Sequence, residues 1–264
     1  MPHYDLLIIG AGSGNSIIDE RHDDWNIAII EPGDFGGTCL NRGCVPSKMF
    51  IHTADRAYMA QQNAPFGIET NFISADWEKI RDRVFNRIDP ITESGLNYRI
   101  SLPNVTVYRS PGRFIDEKTI LVDDDVITAE QIVVAAGARP SVPDIPGISE
   151  VPYLTSDEIM RVDELPSHLV IIGGGFIAVE MAHIFSAFGS EVTIVHRGDR
   201  LLREMDSDIN ERITEIYANR MNLFLETEVS QIAHNESFEI NLSSGDLIVC
   251  DQLLVATGRR PNTD

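Results

Sequence analysis

Cysteine, tryptophan and basic side chains are scarce in this 264-residue chain, and each scarcity excludes a class of protein. Three cysteines cannot build the multi-bridge framework of a small secreted domain. Lys plus Arg number 21 against 41 Asp plus Glu, a net charge of -20. Such a field repels phosphate backbones and anionic lipid, so neither nucleic acid nor membrane is an expected partner. No apolar run approaches the ~20 residues of a membrane span. The N-terminus, Met1-Pro2-His3-Tyr4-Asp5, has no basic stretch ahead of an apolar one, so nothing marks it for secretion and the expected compartment is the cytoplasm. There is no low-complexity segment. What remains, at 43% hydrophobic and 23% charged, suffices for one or two ordinary cores.

The apolar run Tyr4 to Ile9 reads as a buried parallel strand and runs into Gly10-Ala11-Gly12-Ser13-Gly14-Asn15. A helix is expected from there to about Asp23, then a second strand, Asn26 to Ile30, ending at Glu31, 21 residues after Gly10. This is a βαβ unit with a dinucleotide fingerprint. Gly10, Gly12, Ser13 and Gly14 let backbone approach a pyrophosphate at the helix N-terminus, and Glu31 accepts a ribose hydroxyl pair. The third small position is Asn15, so the fingerprint is incomplete. The alternative is a plain strand-turn-helix.

The pattern recurs. His168 to Ile172 leads into Gly173-Gly174-Gly175-Phe176-Ile177-Ala178, a helix to about Phe188 and a strand Glu191 to Val195. Two fingerprints imply two nucleotide sites, as one redox enzyme with two dinucleotides requires; two halves of a single sheet with one site is the alternative. No acid follows the second strand; His196-Arg197 and then Arg203 do. Arg197 and Arg203 suit a ribose 2′-phosphate and favour NADPH over NADH by roughly two or three orders of magnitude, against the alternative of two solvated arginines. Further strands are expected at 105–108, 119–122, 131–135 and 252–256. The last two end in Ala136-Gly137 and Thr257-Gly258, where small residues admit a cofactor. The segment 76–98 reads as a helix broken near Pro90, and 140–152 as a Pro-rich linker.

Gly36-Gly37-Thr38-Cys39-Leu40-Asn41-Arg42-Gly43-Cys44-Val45-Pro46-Ser47-Lys48 carries two thiols five residues apart. That spacing suits a disulfide across a distorted first helical turn, where a helix N-terminus lowers thiolate pKa; two free thiols are the alternative. No metal site is expected. Zinc takes four ligands, and the third cysteine, Cys250, sits in an apolar strand without a histidine cluster. The seven histidines (3, 22, 52, 168, 183, 196, 234) are scattered and read as surface or packing residues.

The stretch from Gly36 to Lys48 resembles the redox-disulfide signature of the flavin-dependent pyridine nucleotide-disulfide oxidoreductases, the group that includes glutathione, mercuric and mycothione reductases and dihydrolipoyl dehydrogenase. Both fingerprints and the Gly137 and Gly258 turns agree in order. Within the group, Gly12 to Ser16, Asp19-Glu20-Arg21, Arg87 to Ile91, Ser94-Gly95 and Tyr98-Arg99 resemble the mycothione reductase subfamily.

The resemblance implies an α/β fold of two Rossmann-like FAD/NAD(P)-binding domains of the glutathione-reductase type: residues 1–150 for FAD with the redox-active disulfide, and 151–264 for NADPH. It implies FAD along the first fingerprint, with Glu31 on its ribose, Thr38 and Lys48 near the isoalloxazine, and Gly112, Ala136, Gly137 and Gly258 against the cofactors. NADPH would lie along Gly173, Gly175, Phe176, Ile177 and Ala178, with Phe176 as an aromatic gate and Arg197 and Arg203 on the phosphate. Cys44 takes electrons from flavin, Cys39 attacks a small thiol disulfide, and Lys48 pairs with Glu180. An unrelated lysine and an exposed helix carboxylate are the alternative for that pair. Full-length members continue into an interface domain that builds a homodimer and supplies an acid-base His-Glu pair. The sequence is thus expected to lack that domain, hold FAD weakly and turn over poorly. Other members of the group, a dihydrolipoyl dehydrogenase or mercuric reductase, and a nucleotide-holding fragment without catalysis stay open.

Overall fold

A computed structural model describes residues 1–263. The chain forms two compact units. The first comprises Met1–Pro46, Phe85–Arg139 and the residues from Pro261; the second comprises Ser47–Val84 and Pro140–Arg260. This division differs from a single cut after residue 150. Residues 47–84 group with the second unit, and the chain re-enters that unit at Pro140, the start of the Pro-rich stretch.

The first unit is built on β1 (His3–Ile9), β2 (Ile27–Ile30), β3 (Val105–Tyr108), β4 (Gly112–Asp116), β5 (Thr119–Val122) and β6 (Asp125–Val134), in the order β3-β2-β1-β6-β5-β4. β1 lies parallel to both β2 and β6, with Ile8 opposite Ile29 and Val133. Strand periodicity divides the apolar residues between two cores. Leu6, Ile8, Ile27 and Ile29 join Phe35 and Val105 on one face; Leu7, Ala28 and Ile30 join Ile120 and Ile127 on the other. Two helices follow β2, α1 (Gly37–Arg42) and α2 (Cys44–Gln61), and then α3 (Trp77–Ser101).

Two expectations fail here. After β1 the chain forms no α-helix, only 3-10 turns at Ser13–Ile17 and Glu20–His22. Gly12, Ser13, Gly14, Asn15 and Ser16 are poor helix formers whose side chains bond locally: the Asn15 amide donates to the Ala11 and Gly12 carbonyls, and the Ser16 hydroxyl to the Ser13 carbonyl. Conversely, α3 runs unbroken through Pro90. Its buried residues Val84, Phe85 and Ile88 outweigh one missing backbone hydrogen bond.

β7 (Ala138–Pro140) pairs in a two-stranded ribbon with a strand at the far end of the chain, Arg259–Pro261. The second unit repeats the parallel core of the first. β8 (His168–Ile172), α4 (Phe176–Phe188), β9 (Glu191–Val195), α5 (Ser207–Ala218), β10 (Asn222–Phe224) and β14 (Gln252–Val255) give the sheet order β10-β9-β8-β14. Between β10 and β14, the meander β11 (Val229–His234), β12 (Phe238–Leu242) and β13 (Leu247–Cys250) covers one face, packing Ile232, Phe238 and Ile240 on Val170, Ile172 and Val255. The helix α4 is apolar nearly all round and packs against β8 and β9. Trp77 stacks on Phe50 and meets a tilted Phe185 ring, each with centroids 5.3 Å apart, and its indole N–H donates to the Val162 carbonyl at 2.8 Å. Among the described residues, no helix is long and apolar enough to cross a membrane.

Candidate active site and dinucleotide cradles

The two units hold their fingerprints in the same backbone frame. In the first, Gly10 N–H donates to the Ile30 carbonyl at 2.8 Å, and Ala135 N–H to the Ile9 carbonyl at 2.8 Å. In the second, Gly173 N–H donates to Val195 at 3.0 Å, and Ala256 N–H to Ile172 at 2.8 Å. Both glycines are left-handed, at φ +107° and +132°. A Cβ would stand 2.2 Å from the Ala135 oxygen at Gly10 and 2.3 Å from the Ala256 oxygen at Gly173, so only glycine fits where the last strand meets the first. At Gly137, Gly175 and Gly258 a Cβ would meet nothing within 4 Å, leaving open space at the strand ends and before α4.

In the first cradle, the Glu31 carboxylate accepts from Ala11 N–H and from Gly33 N–H, both at 2.8 Å, and so fixes the fingerprint loop. The Ala136 carbonyl accepts from the Asn262 amide at 2.8 Å. Gly112 begins β4, where a Cβ would stand 2.9 Å from Ile30 Cδ1, so core packing accounts for its size.

The second cradle is a cavity of about 710 Å³, a volume ordinary for ligand pockets, lined by Gly173, Gly175, Phe176, Ile177, Gly258 and the residues around Arg197 and Arg203. Ala178 does not line it; it is fully buried, letting α4 sit close to the sheet. Phe176 is 56% exposed at the first turn of α4. Arg197 and Arg203 are exposed and, among the described residues, form no ion pair with a carboxylate. Leu202 between them takes φ +51°, a strained conformation for a branched residue, and its N–H donates to the Gly174 carbonyl at 2.8 Å, tying the arginine loop to the fingerprint.

His196 stands in the second unit where Glu31 stands in the first. Its ring presses on Gly174 and Gly198, where a Cβ would meet ring atoms at 2.6 and 2.7 Å, and its Nε2 is buried without a partner. Burial and the neighbouring charges of Arg203 and Arg197 push its pKa down, partly opposed by a backbone hydrogen bond at Arg200 and by Asp199.

Cys39 lies in α1 and Cys44 opens α2, both exposed. Gly43 separates the two helices; a Cβ there would stand 2.9 Å from the Thr38 oxygen. Thr38 itself lies in the first turn of α1. The expected lowering at a helix N-terminus is overridden at Cys39. A hydrogen bond with the Cys44 side chain, then burial, then the charge on the Cys44 sulfur push its thiol up. Asn41, 4% exposed, pins α1: its amide donates to the Phe35 and Gly37 carbonyls at 2.9 and 3.0 Å, and its oxygen accepts from the Thr92 hydroxyl of α3. Sequence reasoning missed Asn41, because nothing in the local pattern identifies its partners.

Lys48 follows Cys44 by one helical turn on α2, and its Nζ donates to Glu180 Oε1 of α4 at 2.5 Å. The lysine side chain is 61% exposed, so the pair is worth at most about 1 kcal/mol to the fold. A second rung crosses the same helices: His183 Nε2 lies 2.8 Å from Asp55, and Arg220 reaches His183 Nδ1 at 3.1 Å while stacking over Tyr58. His183 is therefore paired, contrary to the sequence reading of scattered histidines. The α2–α4 packing that joins positions 128 residues apart carries no local signal. Cys250 is buried, and burial pushes its thiol up to about 12.

The pyridine nucleotide-disulphide oxidoreductase family model matches residues 4–264. The chain belongs to this family. It is 46% identical over 271 residues to mycothione reductase of Mycobacterium tuberculosis, covering all of this chain and 59% of that protein. It is 35% identical over 268 residues to mercuric reductase of Staphylococcus aureus, covering 99% of this chain and 49% of the relative. Among solved structures, the HOCl-induced flavoprotein disulfide reductase of Escherichia coli matches with a TM-score of 0.86 and 29% identity, over 99% of this chain and 58% of that one. The chain thus spans about half to three-fifths of the length of these relatives. The family is one of FAD-dependent oxidoreductases, which implies FAD and a nicotinamide dinucleotide, and the α/β fold is the glutathione-reductase type.

Proposed function

We propose that the chain carries the electron-accepting half of an NADPH-dependent disulfide reductase, with FAD on the first unit, NADPH on the second, and mycothione as the disulfide finally reduced. The observation that carries this is the exposed, hydrogen-bonded Cys39/Cys44 pair, one helical turn before a lysine held by a carboxylate. A pure nucleotide-binding module has no use for such a pair. The 46% identity to mycothione reductase supports the substrate, and the exposed Arg197 and Arg203 support a 2′-phosphate. The cradles fit dinucleotides: the first has a loop fixed by Glu31 and open space at Gly137, and the second an open cavity beside two exposed guanidinium groups.

When bound, flavin supplies a two-electron carrier between nicotinamide and the cysteine pair. The chain's residues do the rest. Glu180 orients the Lys48 ammonium, where it can stabilise negative charge. Cys39 keeps its proton while Cys44 lies against it, and it attacks after a base removes that proton. The Cys39 thiolate then forms a mixed disulfide and expels one thiolate. Cys44 displaces the second, so two electrons leave the dithiol and the Cys39–Cys44 disulfide forms. The reading places the enzyme in the cytoplasm and its full-length form in a homodimer.

Cys39→Ser tests these roles. With FAD, the variant should still be reduced by NADPH, while single-turnover release of thiol from mycothione should fall to background. Loss of both steps contradicts the assignment. Equal release from mycothione, glutathione disulfide and lipoamide by the unmodified chain contradicts the substrate.

A further inference from the structure

The fingerprint of the first unit lacks its helix. The turn Ser13–Ile17 has five residues in 3-10 geometry, so its positive and negative ends lie only about 10 Å apart and largely cancel as a source of field. Behind this turn stands Arg99, in the last turn of α3 and 9% exposed. Its Nε donates to Asn15 Oδ1 and its Nη2 to the Asn15 carbonyl, each at 2.8 Å. The Asn15 amide in turn donates to the Ala11 and Gly12 carbonyls at 3.3 and 3.1 Å.

Among the described residues, no carboxylate forms an ion pair with Arg99. Tyr98, whose ring lies 5.3 Å from Cζ, is its ionisable neighbour, and burial pulls the guanidinium pKa down. In a chain of 41 acidic residues, a buried guanidinium without an acid is a charge awaiting an anion, because buried charges are otherwise paired. The bonds it does make place its charge on Asn15, the middle residue of the 13–17 turn, whose side-chain amide occupies the Ala11 and Gly12 carbonyls and whose N–H donates to the Gly12 carbonyl at 3.2 Å.

We infer that Arg99 is the positioning residue for the dinucleotide pyrophosphate of the first unit, supplying through Asn15 the positive charge that a full helix would otherwise provide. This rests on the reading that the first unit holds FAD. Arginine meets the requirement because its planar fork bonds the amide oxygen and the carbonyl together while its charge persists under burial.

The test is equilibrium binding of FAD, ADP and adenosine to the chain and to Arg99→Met, with the melting temperature of each ligand-free protein. The inference expects FAD and ADP to weaken at least tenfold while adenosine, which has no phosphate, stays within twofold. Arg99→Lys should recover part of the loss. Should Arg99→Met fail to fold, Arg99→Gln, neutral and still able to donate, serves the same comparison. If all three ligands weaken together, or none does, Arg99 only braces the fold and the inference fails while the FAD reading stands. If the unmodified chain binds no FAD, both fall.

Discussion

Glu31 and His196 follow the second strands of their units in equivalent frames, and on the proposed function the difference between them separates a cradle for a plain ribose from one for a phosphorylated ribose. A carboxylate repels a ribose phosphate; a neutral imidazole beneath two arginines does not. The position of His196 also makes it an acid-sensitive element. Its folded pKa lies below the ordinary value near 6.5. As pH falls through that value the unfolded chain takes up a proton first, so the stability His196 contributes is present above about pH 6.5 and is lost on further acidification. His196→Gln should therefore lose less melting temperature than the unmodified chain between pH 7.5 and pH 5.5. An equal loss would show that the ring titrates normally. The thiols depend on environment in the same way: the Cys44 sulfur, rather than the helix terminus, decides that Cys39 keeps its proton.

Elements with one strong local signal were legible. The strands at 105–108, 119–122, 168–172 and 191–195 and the helix ending at Phe188 stand as their apolar patterns indicate. The turns and strands between residues 222 and 250 were not seen, because half-exposed meander strands alternate weakly. The helix expected after β1 failed because Asn15 and Ser16 bond to nearby backbone, and the break expected at Pro90 failed because buried neighbours hold α3. Of the candidate site, the fingerprints and cysteines could be read locally; the Asn41–Thr92 bond, the Asp55–His183–Arg220 rung and the Arg99–Asn15 bonds could not, since each joins residues 37 or more positions apart. Pro90 is exposed inside α3 and lacks the N–H that would reach the Asn86 carbonyl. Pro90→Ala should stabilise the chain by about 1–2 kcal/mol, less than the full helix penalty because proline also restrains the unfolded chain. Denaturant unfolding reads this directly; a loss of stability would mean that the proline shapes a needed bend.

The whole molecule is two units with one backbone plan, differing where each meets its ligand. The first closes its loop with an acid and a buried arginine; the second sets two exposed arginines beside a neutral histidine. Against a net charge of -20, the affinity for a phosphorylated ligand that the proposed function requires is local rather than a property of the overall field. On the proposed function two dinucleotides and the Cys39/Cys44 pair share one electron path, and the most direct test follows that path. The chain is supplied with FAD under anaerobic conditions and titrated with NADPH and, separately, NADH while the visible spectrum is recorded. The account predicts that NADPH bleaches the flavin at roughly a hundredth of the NADH concentration or less, and that a long-wavelength thiolate-flavin band appears and vanishes in Cys44→Ser. Equal response to both nucleotides, or bleaching without that band, would contradict it.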